Sequence, residues 1–136
     1  EHRGLLDLNR ELNGLYRENP VLHVADTDPA GFAWIDLHNG DQSVFAFLRR
    51  SPLHPDRPPL LCVFNCTPVP REDYWLGVPA TGTYRKVLDT DAARYGGSGF
   101  NQQERVVTQL APCQGYPCHI RLDLPPLGAL FFELAD

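Results

Sequence analysis

Acid–base and nucleophilic chemistry, glycoside cleavage included, uses carboxylates two at a time. Three pairs stand out here: Asp26 with Asp28, Glu72 with Asp73, and Asp89 with Asp91. All lie in turns or at the ends of apolar runs, beside Pro, Gly or Thr, where Asp ordinarily organises the backbone. No neighbouring sequence signals the burial that lifts a catalytic carboxyl's pKa. These pairs are therefore expected to be structural, and no catalytic residue is assigned.

Metal-binding and nucleophilic patterns are weaker still. Cys113, Cys118 and His119, with Cys62 or Cys66, supply zinc-type donors, but structural zinc sites show two close ligand pairs at short, regular spacing. Here one pair is split by a Gly-Pro loop and the other lies inside an apolar run. Four residues of strand cover about 13 Å, whereas a disulfide needs Cα atoms about 4.4 to 6.8 Å apart, so Cys62 and Cys66 cannot join. Cys113 and Cys118 bracket a loop short enough to let them approach. All four read as reduced thiols of a cytoplasmic protein, and neither a metal nor a cofactor is expected. A Cys66–His119 pair has no geometry from sequence alone. Tyr95-Gly96-Gly97-Ser98-Gly99 lacks the lysine of a phosphate loop and reads as a flexible connection. Asn65-Cys66-Thr67 matches a glycosylation acceptor, a frequent chance match.

Flat aromatic rings are the remaining candidates. A sugar offers apolar C–H faces to such rings and hydroxyls to Asp, Asn or Arg. Trp34 and Trp75 lie near strand starts, with Asp36 and Tyr74 close by in sequence. Trp34 reads first as a core residue alongside Phe32, with a glycan platform as the alternative. Trp75, in a short run with polar flanks, reads equally either way.

These residues must be carried by some fold. In the first segment Leu5, Leu8, Leu12 and Leu15 recur at helical spacing, with Leu6 and Tyr16 widening the stripe. Asn19-Pro20 ends the helix, because the residue before proline avoids the α region. Such an amphipathic helix needs a larger surface to pack on. Beyond Asp26 the chain breaks into short apolar runs: 32–36, 43–49, 60–66, 74–78, 83–88, 105–110, 119–124 and 129–134. Asn39-Gly40 is a hairpin signal between the first two. The run at 60–66 is continuous, as in a central strand, and Ile120, Leu122 and Leu124 share one face of theirs. The 13 prolines and 11 glycines fall mostly between the runs. The expected fold is all-β: an antiparallel β-sandwich of about eight strands preceded by one amphipathic helix.

With 136 residues the chain holds one ordinary domain, whereas a complete (β/α)8 barrel takes at least about 200. A hydrophobic content of 43% and a charged content of 21% suit a globular core. Net charge is −5 and the densest basic pair is Arg49-Arg50, so no nucleic-acid partner is expected. No apolar run is long enough to span a bilayer, so no membrane association is expected. The chain starts at Glu1 and contains no methionine, and on that ground reads as part of a longer protein.

Specific strings go further. Asp28-Pro29-Ala30-Gly31-Phe32-Ala33-Trp34-Ile35-Asp36 and Ser43-Val44-Phe45-Ala46-Phe47-Leu48-Arg49-Arg50 resemble the opening of the C-terminal domain of glycogen (1,4-alpha-glucan) branching enzymes, of the alpha-amylase superfamily. Asn65 to Tyr74 resembles that family's Asn-Phe-Thr-Pro-Val-Pro-Arg segment, with Cys66 at the aromatic position. Leu88 to Asp91, Tyr95 to Gly99, and Leu122 to Leu130 resemble its later blocks. Cys113 and Cys118 lie outside the pattern. The resemblance implies that residues 1–24 are the last helical segment of a catalytic barrel and that 25–136 are the C-terminal β-sandwich. It also implies a parent enzyme that moves an α-1,4-glucan segment to a 6-hydroxyl through a glycosyl intermediate on a barrel aspartate. No position here matches that aspartate or its acid/base partner. The expected partners are thus the barrel and an α-glucan. Trp34 matches the tryptophan of the family's opening strand, and with Trp75, Tyr74 and Asp36 it forms the candidate surface glucan set.

Overall fold

The structure, a computed structural model, describes residues 2–135. One helix, α1 (Arg3–Glu18), precedes eight strands: β1 (Phe32–Asn39), β2 (Val44–Arg49), β3 (Leu60–Asn65), β4 (Arg71–Val78), β5 (Thr83–Asp89), β6 (Arg105–Val107), β7 (Cys118–Leu124) and β8 (Gly128–Leu134). Six form a sheet in the order β1-β2-β3-β8-β5-β6, and β4 pairs with β7 in a second sheet. Every pairing is antiparallel. The expected sandwich and leading helix are both present.

Strand alternation builds the core. Ile35, Ala46, Leu48, Leu61, Val63, Leu130 and Phe132 point inward from the large sheet, and meet Leu76, Val78, Ile120, Leu122 and Leu124 from the small one. Each of the larger of these side chains contributes about 1.5–3 kcal/mol through burial. A second cluster lies on the outer face of the large sheet. Val21, Leu60 and Cys62 are buried there against Phe47, Phe64, Val87 and Phe131. β3 is thus covered on both faces, which explains why its sequence is apolar from Leu60 to Phe64 rather than alternating.

Two expectations need correction in detail. The β1–β2 hairpin forms, but its connection is the four residues 40–43, and the left-handed φ of +52° falls on Ser43 rather than on Gly40. The strand expected over 105–110 stops at Val107. Thr108 closes the pairing by bonding its N–H to Gly82 O and accepting Gly82 N–H on its hydroxyl. Gln109 then crosses to the other sheet, exchanging two backbone bonds with His119. A corner between sheets has no signature in hydrophobic pattern.

The small sheet has two strands and therefore two edges. Glutamine amides cover both. Gln114 donates to Trp75 O (3.1 Å) and accepts from Gly77 N (2.7 Å) on β4. Gln103 donates to Arg121 O (3.0 Å) and accepts from Asp123 N (2.8 Å) on β7. Each amide spans the carbonyl of one residue and the N–H two residues on, as one residue of an added strand would. Gly77 permits this: a Cβ there would lie 2.3 Å from Cys113 O, in the turn that presents Gln114.

α1 behaves differently from the sandwich. None of its residues is buried, and Leu5 is 59% exposed. The leucine stripe exists as expected, with Leu8, Leu12 and Leu15 half-buried, but the sandwich covers it only in part and leaves Leu5, Leu6 and Tyr16 exposed.

Two outcomes are expected. Replacing Gln103 with Ala should lower unfolding free energy by about 1–2 kcal/mol through two lost edge bonds, read as a shifted urea midpoint at unchanged slope. Burial pushes the Cys62 thiol up to about 12, and burial likewise lifts the Tyr84 hydroxyl to about 12. Both are neutral in the folded state. Their contribution is therefore intact below the ordinary thiol pKa of 9.0 and is lost as pH climbs from there toward about 12. Stability should fall across that window, and Cys62→Ala should flatten the fall.

Candidate functional site

β1 sends Ala33 and Ile35 into the core, so Phe32 and Trp34 point outward. This overturns the reading of Trp34 as a core residue: it is 46% exposed. Its indole stands edge-on to Phe32 and Phe47, at centroid distances of 5.0 and 6.0 Å. Behind it the outer face carries a row of rings, with Phe45 stacked on Phe64 at 4.8 Å and Phe32 on Phe47 at 5.0 Å. Trp34 and Phe45 wall a groove of about 400 Å³ whose other lining includes Leu37, Asn39, Ser43 and Cys66. Such a groove offers flat apolar surface with one amide and one hydroxyl at its rim. No lining residue is Asp, Glu, His, Lys or Arg. Its chemistry is that of holding a neutral, ring-shaped ligand.

Asp36 and Tyr74 are brought together, but away from that groove. A register shift in β1 between Trp34 and Asp36 turns the carboxylate toward the small sheet. The Tyr74 hydroxyl donates to it, and Gln114 Nε2 donates to both, at 3.2 Å each. Burial first, and then the bond to Asp36, raise the Tyr74 pKa, so the hydroxyl stays a donor. This trio bolts one sheet to the other.

Trp75 lies on the outer face of the small sheet, 38% exposed. The His119 ring stacks on it at 4.0 Å and 9°, and the Arg121 guanidinium sits 4.6 Å from its centroid. His119 is itself buried, with Nδ1–H donating to Ala111 O (2.8 Å). Because a carbonyl only accepts, this bond puts the proton on Nδ1. The two tryptophans therefore belong to different sheets and different surroundings.

The paired carboxylates are engaged as turn and pair formers. Asp26 meets Arg49, Asp28 caps Ala30 N, and Asp73 faces Arg121 at 3.8 Å. Asp89 accepts from Asp91 N, and Asp91 accepts from the Ser98 N–H and hydroxyl. Glu72 is exposed. Among the described residues no three His, Cys, Asp or Glu side chains gather as metal donors. The four thiols are free: Cys62 and Cys118 buried, Cys113 half-buried, Cys66 exposed. Asn65 is buried, its amide donating to Val69 O and Pro125 O, which removes it as a glycosylation acceptor. Among the described residues no helix is long and apolar enough to cross a membrane.

Comparison with known proteins adds the following. The family model described as the alpha amylase C-terminal all-beta domain matches residues 34–135. The chain is 43% identical over 133 residues to the 1,4-alpha-glucan branching enzyme GlgB of Thiobacillus denitrificans, and 47% identical over 133 residues to that of Rubrobacter xylanophilus. Each alignment covers 98% of this chain and 18% of the relative. The branching enzyme of Marinobacter nauticus is 41% identical over 135 residues, covering 99% of this chain and 21% of its own. The chain thus spans about a fifth of the length of these relatives. In fold it resembles a crystal structure of an alpha-amylase from H. orenii, with a TM-score of 0.55 at 17% identity, over 96% of this chain and 20% of that one.

Proposed function

The chain belongs to the alpha-amylase C-terminal all-beta domain family, and from that premise we propose that it is the non-catalytic accessory domain of a 1,4-alpha-glucan branching enzyme. The parent moves an α-1,4-glucan segment to a 6-hydroxyl and so creates an α-1,6 branch. Its nucleophile and acid/base lie in a catalytic barrel, and residues 1–24 are the final helical segment of that barrel. The sandwich has two tasks: to support the barrel, and to hold glucan at its surface.

The observation that carries the first task is the helix. An amphipathic helix normally buries its apolar stripe, yet α1 leaves Leu5, Leu6 and Tyr16 about half exposed or more. A barrel packed on that stripe supplies the missing cover. The second task is favoured by the Trp34 groove, which joins an aromatic wall to neutral polar groups. A pyranose stacks its C–H face on the indole and turns its hydroxyls to Asn39 and Ser43. Trp75, whose ring already carries His119 and Arg121, has less free surface to offer. Asp36 and Tyr74 serve indirectly, by holding the β1 and β4 ends in register.

The test uses the chain by itself. Incubated with amylose, it should leave the iodine stain unchanged; a blue-shifted stain above background would refute the accessory role. Titrated with maltoheptaose, it should show saturable quenching of tryptophan fluorescence. Trp34→Ala should weaken that binding about tenfold or more, the loss of roughly 1.4 kcal/mol of stacking, while Trp75→Ala should change it far less. Equal effects of the two substitutions would move the site elsewhere.

A further inference from the structure

The segment Tyr95-Gly96-Gly97-Ser98-Gly99 reads as a flexible connection, yet it is a fixed turn with one neighbour of note. The helical turn Ala93–Tyr95 at its head makes the main contact between α1 and the strand-bearing part of the molecule. Two points define that contact. At Gly4 the backbones meet: a Cβ there would lie 2.3 Å from Tyr95 O and 2.5 Å from its carbonyl carbon. At Glu11 the carboxylate accepts from Arg94 Nη1 (2.6 Å) and from the Tyr95 hydroxyl. The Arg94 guanidinium also covers the Tyr95 ring at 4.6 Å. Gly4 and Glu11 are seven residues apart, two helical turns on one face. A line through both points sets the direction of the helix.

The turn is anchored well enough to serve as a seat. Asp91 accepts from the Ser98 N–H and hydroxyl through its carboxylate, and from Gly99 N through its carbonyl (2.9 Å). A Cβ on Gly97 would lie 2.2 Å from Asp91 O, and Gly96 takes a left-handed φ of +87°. Thr90 N bonds Ala129 O (3.1 Å), tying the turn to β8. Below it a hollow of about 340 Å³ lies between the helix and the sheet, lined by Gly14, Leu15 and Glu18 on one side and by Val87 and Leu88 on the other. At its far end the chain turns at Asn19, in extended conformation, and Val21 is fully buried in the outer cluster.

We propose that Gly4, Glu11, Arg94 and Tyr95 form a latch that sets the angle of α1 on the sandwich about a pivot at Asn19. Asn19 with Val21 is the fixed end, the Tyr95 turn is the catch, and the hollow beneath is the space through which the helix swings when released. On the proposed function, α1 carries the barrel, so these are positioning residues for the catalytic domain and touch no substrate. They fix where the Trp34 groove lies relative to it.

Hydrogen exchange on the 136-residue chain tests the latch directly. Glu11→Ala removes the acceptor, and Gly4→Ala drives the backbones apart without touching Glu11. Each should speed amide exchange across residues 3–18 about tenfold or more, because a lone helix of this length is marginal in water. Protection in β3 and β8 should stay at the parent value, and Tyr95→Phe should give an intermediate effect. The idea is overturned if α1 exchange is unchanged in both Ala variants, or if helix and strands lose protection together. Neither glucan nor the rest of the barrel enters this measurement. A failed latch therefore leaves the proposed function standing, and a failed binding titration leaves the latch standing.

Discussion

A sheet of two strands has no interior strand: every backbone group on its outer sides needs a partner from outside the ladder. In this sandwich that constraint falls on β4 and β7, which supply one side of the core through Leu76, Val78, Ile120, Leu122 and Leu124. Leaving edge groups unmatched in a partly buried setting costs free energy comparable to a lost hydrogen bond. The chain meets the constraint with side chains. Gln114 occupies one edge and Gln103 the other, with Gln109 continuing the second edge by backbone pairing to His119. Gln114 does more than cover an edge, since the same amide nitrogen reaches Asp36 and the Tyr74 hydroxyl. Edge protection and sheet-to-sheet attachment thus share one residue.

The division of labour between faces follows. Because inward positions are claimed by the core, whatever binds must use outward ones, and the two outer faces differ. The small sheet's outer face is largely consumed by its own interactions: Trp75 on His119, Arg121 beside Trp75 and Asp73. On the large sheet the outer face is aromatic and only partly covered, ending in the Trp34 groove. Its covered part, around Val21, Leu60 and Cys62, lies next to the chain leading out of α1. The anchored end of the helix and the aromatic row thus share one outer face of one sheet.

Much of the architecture was legible in sequence because it is periodic. The leucine stripe of α1, the unbroken apolarity of β3 and the alternation of Ile120, Leu122 and Leu124 each obey a single repeat. Features that depend on tertiary partners were not. Trp34 next to Phe32 reads as core because both are large and apolar. Only the phase of β1, set by Ala33 and Ile35 facing inward, puts it outside, and two small or branched residues are a faint phase marker. The end of β6 at Val107 depends on Thr108 meeting Gly82, a contact between residues far apart in the chain. Gln103 and Gln114 sit in loops where glutamine is unremarkable, and no local signal marks them as strand substitutes. The glycine-rich stretch after Tyr95 reads as a flexible connection, because the Asp91 bonds that fix it and the helix it meets, more than eighty residues away, leave no mark on its own sequence.

Catalysis at a glycosidic bond asks for two carboxyl groups facing one substrate, about 5–5.5 Å apart in a retaining enzyme, with one kept protonated. A carboxylate committed to structure cannot easily be both. In this chain the commitments are specific: Asp26 to Arg49, Asp36 to Tyr74, Asp91 to Ser98, Glu11 to Arg94 and Tyr95, Glu104 to Lys86, Glu133 to Arg85. Among the described residues the one carboxyl whose pKa is raised, Asp89, owes this mainly to burial, and it accepts the Asp91 N–H that shapes its own turn. Freeing it for chemistry would dismantle the seat of α1. Five of the six acids that resemble catalytic pairs in sequence, Asp26, Asp28, Asp73, Asp89 and Asp91, hold turns or ion pairs instead. That use fits the accessory role proposed above.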